Sequence, residues 1–246
     1  MAKKSGRPAP GKRPSGGRGK PTGKAPTGKK AAPAKRPKPK KVAPREVVAE
    51  TPRAFRLGAI PGATPGKWID AWKTRMPHVD LELVPIEVAG QRAALTDLDA
   101  ALVRLPIDRP DDLHVIRLYD ELPVVVASAE SHLMAAETLT AADLDGEVLV
   151  TPLDDVLGPL DLPTVAPRFA PVATTEDAVA TVATGTGVVV MPMSLARMHH
   201  RKDANYRVLE GGPTSAVALA WLRDRTTPDV EAFVGIVRGR TANSSR

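Results

Sequence analysis

Hydrophobic and polar positions take on regular spacing at Phe55, and from there they follow the periods of strands and helices. Phe55–Ile60 has the alternation of a strand, and Pro61–Gly66 after it is a cluster of turn-forming residues. Apolar side chains then recur at helical spacing at Trp68, Ile69, Trp72 and Met76. This spacing predicts an amphipathic helix over 65–76 that ends at proline 77.

The same periodicities continue to the end of the chain. Strands are predicted at 79–86, 100–103, 115–118, 122–127, 148–150, 168–172, 188–191, 206–209 and 216–221. Helices are predicted at about 91–96, 175–184 and 228–238, and Thr174 with Asp177 is typical of an N-cap pair. Strand–helix–strand alternation of this kind indicates an α/β fold with parallel strand pairing.

Charge divides the chain into two unlike parts. Residues 1–45 hold 16 of the 35 Lys and Arg and none of the 28 Asp and Glu, so the rest has a formal net charge of −9. The first part is rich in Lys, Pro, Ala and Gly and contains no aromatic residue, which predicts a disordered basic tail. The chain has no cysteine and no run of 18 apolar residues. We therefore expect a cytoplasmic protein without disulfides or membrane spans.

Six segments carry a family resemblance. They are the strand, turn and helix from Phe55 to Leu83, then Leu98–Arg104, Leu122–Leu133, Leu139–Leu144, Val182–Pro192 and the last helix with Phe233. In this order they resemble the effector domains of LysR-type transcriptional regulators. Arg75–Leu83, for example, is similar to the family's pattern of an apolar helix end followed by Pro-x-Val and an alternating strand.

The resemblance implies two Rossmann-like lobes of the periplasmic-binding-protein type 2, joined by two crossing strands. We expect a tail and linker at 1–53 and a substrate-binding domain at 54–240. Lobe I would comprise 54–127 plus 210–240, and lobe II 128–209. Family members normally begin with a winged helix-turn-helix, and residues 1–45 lack the apolar side chains for its core. A true loss and a mis-set start both remain open. The resemblance also implies homodimers.

Candidate ligand contacts follow from the rule that open α/β sheets bind ligands at the carboxyl ends of their strands. Amides and hydroxyls near a helix start suit an anion, and an arginine after a strand suits a bidentate contact. The predicted ligand-binding residues are Gly62, Ala63, Thr64, Gly66, Arg104, Leu105, Thr151, Thr174 and Thr175. The alternatives are plain helix capping for the threonines, turn formation for the glycines and a surface position for Arg104.

The sequence gives little support to a catalytic or metal-binding function. The chain has no Gly-x-Ser-x-Gly elbow, Walker loop or His-Glu-x-x-His pair. Asp154 and Asp155 are neighbours in a predicted loop, where we expect them to be solvated. His199 and His200 lack a convergent third ligand in the sequence and are expected to be exposed. The sequence thus predicts no enzyme, no metal site and no cofactor.

The leading hypothesis is a ligand-sensing, LysR-like transcriptional regulator domain whose small effector is anionic. The tail would add nucleic-acid contact without sequence preference, through Arg7, Lys12, Arg13, Arg18, Lys35 and Arg36. Two alternatives stay open: a ligand-binding module without DNA function, and a nucleoid-type DNA-coating protein. The second alternative would add nucleoid association to the cytoplasmic location.

Overall fold

Alternating apolar positions produce nine strands in the computed structural model, which describes residues 53–239. The predicted tail at 1–45 and most of the linker lie outside the described residues. In chain order the strands are β1 (Ala54–Ala59), β2 (Asp80–Pro85), β3 (Ala100–Arg104), β4 (Leu113–Glu121), β5 (Pro123–Ser128), β6 (Thr138–Leu139), β7 (Val189–Pro192), β8 (Ala204–Leu209) and β9 (Ser215–Leu222). The helices are α1 (Gly66–Arg75), α2 (Gln91–Ala94), α3 (Thr175–Ala183), α4 (Met193–Met198) and α5 (Pro228–Val237).

Two sheets form two lobes. The first sheet has the strand order β2-β1-β3-β9-β4, and the second has the order β6-β8-β5-β7. β1 pairs in parallel with β2 and β3, as the strand–helix–strand pattern predicted, whereas β9 runs antiparallel to β3 and β4. The chain passes between the sheets twice, from β4 through Leu122 to β5 and from β8 to β9. The predicted two-lobed α/β architecture is confirmed.

An aromatic cluster forms the centre of the first lobe. The rings of Phe55 and Trp72 stack at a centroid distance of 4.6 Å, and Phe233 of α5 packs at 5.1 Å from Phe55. Trp72 is fully buried and donates its indole N–H to the carbonyl oxygen of Val79 at 2.8 Å. The buried Trp72 therefore packs α1 against β1 and α5.

Aliphatic side chains form the core of the second lobe. Val124 and Val126 of β5 pack against Val179 and Val182 of α3 and against Met191 of β7. Because β5 pairs with β7 and β8, it belongs to this lobe, although the sequence placed residues up to 127 in lobe I. A run of valines shows that a strand is buried but does not show in which sheet.

Two predicted strands do not form ladders. The segments at 148–150 and 168–172 contribute only isolated bridges, which join Val148 to Val165, Leu149 to Val188 and Pro152 to Val172. Five prolines between 152 and 171 remove backbone donors from this stretch. Apolar periodicity alone therefore overestimated its strand content.

No helix within residues 53–239 combines the length and the apolar character that crossing a membrane requires.

Candidate functional site

A cavity of about 420 Å³ lies between the two lobes. Its wall combines the loops after β1 and β2 and the end of β3 with a loop of the second lobe, the start of α3 and the end of α4. The lining residues are Pro61, Glu87, Val88, Ala89, Arg104, Leu153, Asp154, Asp155, Val156, Thr174, Thr175, Glu176, Leu195, Met198 and His199. Three of the predicted ligand residues, Arg104, Thr174 and Thr175, are brought together here.

Arg104 is the most deeply buried charge in this wall. It ends β3, its side chain is 2% exposed, and its Nη1 donates to Glu121 Oε2 at 2.7 Å. The same nitrogen also donates to the Ser215 hydroxyl. Glu121 ends β4 and Ser215 begins β9, so this guanidinium connects both strands that lead to the second lobe.

The backbone of Arg104 is fixed by a reciprocal amide pair. Its N–H donates to Gln91 Oε1 at 2.8 Å, and its carbonyl oxygen accepts from Gln91 Nε2 at 2.8 Å. Gln91 is buried at the start of α2. The arginine position is therefore held independently of any ligand.

The remaining donors of Arg104 are unused. Nε and Nη2 are both buried, and neither has a hydrogen-bond partner among residues 53–239. These two nitrogens lie on one edge of the planar guanidinium, and their N–H bonds form a parallel fork that matches the two oxygens of a carboxylate. Within residues 53–239, this buried bidentate donor is therefore left without an acceptor.

The start of α3 is already occupied by its own side chains. Thr174 Oγ1 accepts from the Asp177 N–H at 3.1 Å, which confirms the predicted N-cap pair. Thr175 is buried and donates its hydroxyl to Asp154 Oδ1 at 2.9 Å. Because Glu176 and Asp177 place two carboxylates in the first turn, this helix start adds little positive potential for an anion.

A second cavity, of about 710 Å³, lies at another contact between the lobes. It holds Gly62, Ala63 and Thr64, which the sequence expected beside the other ligand residues. Gly62 has a φ of +84°, and a Cβ on it would lie 2.9 Å from Ser194 Cβ and closer still to Ser194 Oγ. The β1–α1 loop therefore touches α4 of the opposite lobe directly.

Tyr119 also lines this second cavity. Burial raises the pKa of Tyr119, the negative charge of Glu121 raises it further, and the positive charge of Arg104 opposes both. The pKa of Tyr119 therefore depends on the same buried ion pair that borders the first cavity.

Three further predicted residues lie apart from both cavities. Thr151 lines a separate cavity of about 240 Å³ in the second lobe. Gly66 is the exposed first residue of α1, and Leu105 packs with the aliphatic core beside β3. The structure therefore does not gather the predicted residues in a single pocket.

The acidic lining was not recognised from the sequence. The sequence predicts solvated loop neighbours at Asp154 and Asp155, and Asp154 is indeed exposed, but both residues also line the cavity between the lobes, as does His199. Asp155 accepts from the N–H groups of Leu157 and Gly158 at 3.1 and 2.9 Å. The sequence shows that Asp154 and Asp155 lie after β5 and before α3, but it does not show that the fold brings their loop to the cavity.

Within residues 53–239, no three His, Cys, Asp or Glu side chains converge as metal ligands would.

The comparisons with known proteins agree with this architecture. The family model described as the LysR substrate binding domain matches residues 49–242. The chain belongs to this family. Its members are transcriptional regulators that sense small effectors, and residues 49–242 are the effector-binding domain of such a regulator.

One curated relative and two solved structures illustrate the similarity. The Hca operon transcriptional activator HcaR of Escherichia coli is 26% identical over 215 residues, which cover 81% of this chain and 71% of that protein. The BenM effector binding domain with its effector benzoate has a TM-score of 0.61 at 19% identity, covering 77% of this chain and 95% of that one. The reduced OxyR regulatory domain from Pseudomonas aeruginosa has a TM-score of 0.57 at 23% identity, covering 76% and 97%. Both solved structures share the fold.

Proposed function

We propose that this LysR substrate-binding domain senses a small carboxylate, which it binds in the 420 Å³ cavity against Nε and Nη2 of Arg104. One observation carries the proposal: the buried guanidinium of a residue that lines the cavity has one complete donor fork with no acceptor among residues 53–239. The BenM effector binding domain, which shares the fold, was solved with its effector benzoate, itself a carboxylate.

The energetics of burial support a carboxylate. A buried donor without an acceptor costs about 1–3 kcal/mol, and more when it is charged. A bidentate, charge-assisted contact would remove that cost for two N–H groups at once. Glu121 and Ser215 already hold Nη1, so the ligand would not need to displace either of them.

Entry of the ligand requires the lobes to part. Nε and Nη2 are shielded from solvent in this arrangement, and Gly62 and Ser194 hold the lobes in contact beside the cavity. Opening and reclosing around the ligand would change the relative position of the lobes. That change is what a regulator can pass on to a paired subunit or to DNA.

The other predicted contacts would complete the site from the rim. Thr174 and Thr175 lie in the same cavity wall, while Gly62, Ala63 and Thr64 lie on the loop that begins with Pro61 of that wall. The proposed polar contacts in this cavity are therefore Arg104 first and the two threonines at its rim second.

The basic tail would supply nucleic-acid affinity. Its 16 Lys and Arg without any Asp or Glu favour binding to phosphates through counterion release, with Arg7, Lys12, Arg13, Arg18, Lys35 and Arg36 among the contacts. LysR-type regulators act on DNA as oligomers, and we propose that this chain acts as a cytoplasmic homodimer.

A thermal-shift screen of the whole chain tests the ligand proposal. Small carboxylates are compared with their own carboxamides, and a true ligand stabilises the native state by mass action. We expect at least one carboxylate to raise Tm where its amide does not, and Arg104→Lys to abolish that rise. Arg53→Lys, which changes an exposed arginine paired with Asp229, is the control and should keep it. Stabilisation that survives Arg104→Lys would refute the proposed contact.

A further inference from the structure

The charges around the cavity do not match an anionic ligand. Its wall contains four acidic side chains, of Glu87, Asp154, Asp155 and Glu176, and one arginine. The positive charge of Arg104 is already balanced by Glu121 at 2.7 Å. Apart from the imidazole of His199, the wall therefore presents an excess of negative charge to anything that enters.

Three of these acids are open to a ligand. Glu87 and Glu176 are exposed and make neither a hydrogen bond nor a salt bridge with the side chains of residues 53–239. The charge of Glu176 also contributes, after that of Asp203, to the raised pKa of Arg201, so this acid lies near one cation of its own lobe. Asp154 uses only Oδ1, which accepts from Thr175. Asp155 differs, because both of its oxygens accept from backbone N–H groups of its own loop.

The acids face the cavity from both lobes. Glu87 lies on the loop after β2 in the first lobe, whereas Asp154 and Glu176 lie on the second. A positive group between them would interact favourably with both lobes, and a second negative group would be repelled by both. Arg104 also lines this cavity, and its buried Nε and Nη2 have no hydrogen-bond acceptor among residues 53–239.

We infer that the ligand is zwitterionic, with a carboxylate on the Arg104 fork and an ammonium group beside Glu87, Asp154 and Glu176. This inference rests on the proposed carboxylate site and narrows its ligand class from anions to amino acids in the broad sense. It replaces the simple anion that the sequence led us to expect.

Calorimetric titration of the full chain with probes of equal length tests the inference. The probes are 5-aminopentanoate, pentanoate, glutarate and pentylamine. We expect 5-aminopentanoate to bind most tightly, about threefold to tenfold better than pentanoate, as one or two exposed ion pairs allow. Glutarate should bind more weakly than pentanoate, because the rim repels its second carboxylate.

Matched variants assign the preference to the rim. Glu87→Gln/Glu176→Gln should reduce the ratio of the two affinities, for 5-aminopentanoate over pentanoate, towards one. Glu130→Gln/Glu137→Gln removes the same charge from exposed positions outside the cavity and should leave that ratio unchanged. Because these side chains are exposed, the variants are expected to fold.

The outcomes separate the two proposals. Equal binding of pentanoate, glutarate and 5-aminopentanoate, all lost in Arg104→Lys, would overturn the zwitterion and leave the carboxylate site standing. Binding by none of the probes, or binding that Arg104→Lys does not change, would overturn both.

Discussion

The guanidinium of Arg104 donates to the carboxylate of Glu121 at 2.7 Å, with both side chains more than nine-tenths buried. The pair lies where the first sheet meets the strands that lead to the second, and it borders the cavity between the lobes. A buried pair in this position connects the strands that lead to the second lobe and balances the positive charge of Arg104.

Loss of one partner of this pair should be costly. Glu121→Ala leaves Arg104 buried with an uncompensated charge, and we expect it to lower the free energy of unfolding by about 3–5 kcal/mol. The exposed pair between Arg117 and Asp120 is the control, since Asp120→Ala should cost about 1 kcal/mol or less. Urea denaturation measures both. Equal costs for the two variants would show that the buried pair does not stabilise the fold.

Close approach of the lobes should make Gly62 intolerant of a side chain. Gly62→Ala places a Cβ in a left-handed backbone conformation and against Ser194, so we expect a loss of about 1–3 kcal/mol. Gly66→Ala is the matched control, because its Cβ meets no atom within 4 Å at the start of α1. It should be neutral or stabilising by up to about 1 kcal/mol. Thermal and urea unfolding compare the two, and a neutral Gly62→Ala would argue against the contact.

The phenol of Tyr119 should lose its proton at a higher pH than an ordinary tyrosine does. Its pKa is raised chiefly by burial and next by the charge of Glu121, so the folded state favours the neutral phenol. Stability from this group is complete below the ordinary tyrosine pKa and is lost as pH rises through the raised one. Tyr119→Phe should remove that alkaline loss.

Absorbance titration can follow this one phenol. The chain has two tyrosines, so Tyr206→Phe leaves Tyr119 as the only one. The remaining phenolate signal should appear above the ordinary tyrosine pKa, and Glu121→Gln should move it downwards. Tyr119 is 37% exposed, so a midpoint at or below the ordinary value would contradict the partial burial of its ring beside Glu121.

The sequence correctly predicted the elements whose apolar side chains recur at the regular spacing of a strand or a helix. The alternation of β1 and the helical spacing of Trp72 place the first βα unit correctly, since each pattern reports a buried face. The same reasoning wrongly predicted two strands in the proline-rich stretch from 148 to 172. Prolines lack the backbone N–H that a strand ladder needs, and this outweighs the apolar periodicity there.

The site was less predictable because its contacts are long-range. Arg104 was singled out from its place after a strand, but Glu121 and Ser215, its partners, lie 17 and 111 positions away. No local pattern shows that these three side chains meet. The acidic loop at Asp154 was likewise assigned to solvent, since only the tertiary fold turns it into the cavity.

The basic tail should bind DNA in a salt-dependent way. Replacing Arg7, Lys12, Arg13, Arg18, Lys35 and Arg36 with Gln should make the slope of log affinity against log salt shallower by up to about five. Fluorescence anisotropy with mixed-sequence duplexes measures the slope. The thermal midpoint serves as control and should not change. An unaltered slope would exclude these residues from the contact.

Protection of a single cysteine tests the location of the ligand most directly. The chain has no cysteine of its own, so Ala89→Cys places one thiol in the cavity between the lobes and Ala142→Cys places one on the exposed surface of the second lobe. Reaction with a thiol reagent is timed with and without 5-aminopentanoate. The account predicts slower reaction at Ala89→Cys, no change at Ala142→Cys, and loss of protection when Arg104→Lys is added. Equal rates at Ala89→Cys with and without saturating ligand would contradict binding between the lobes.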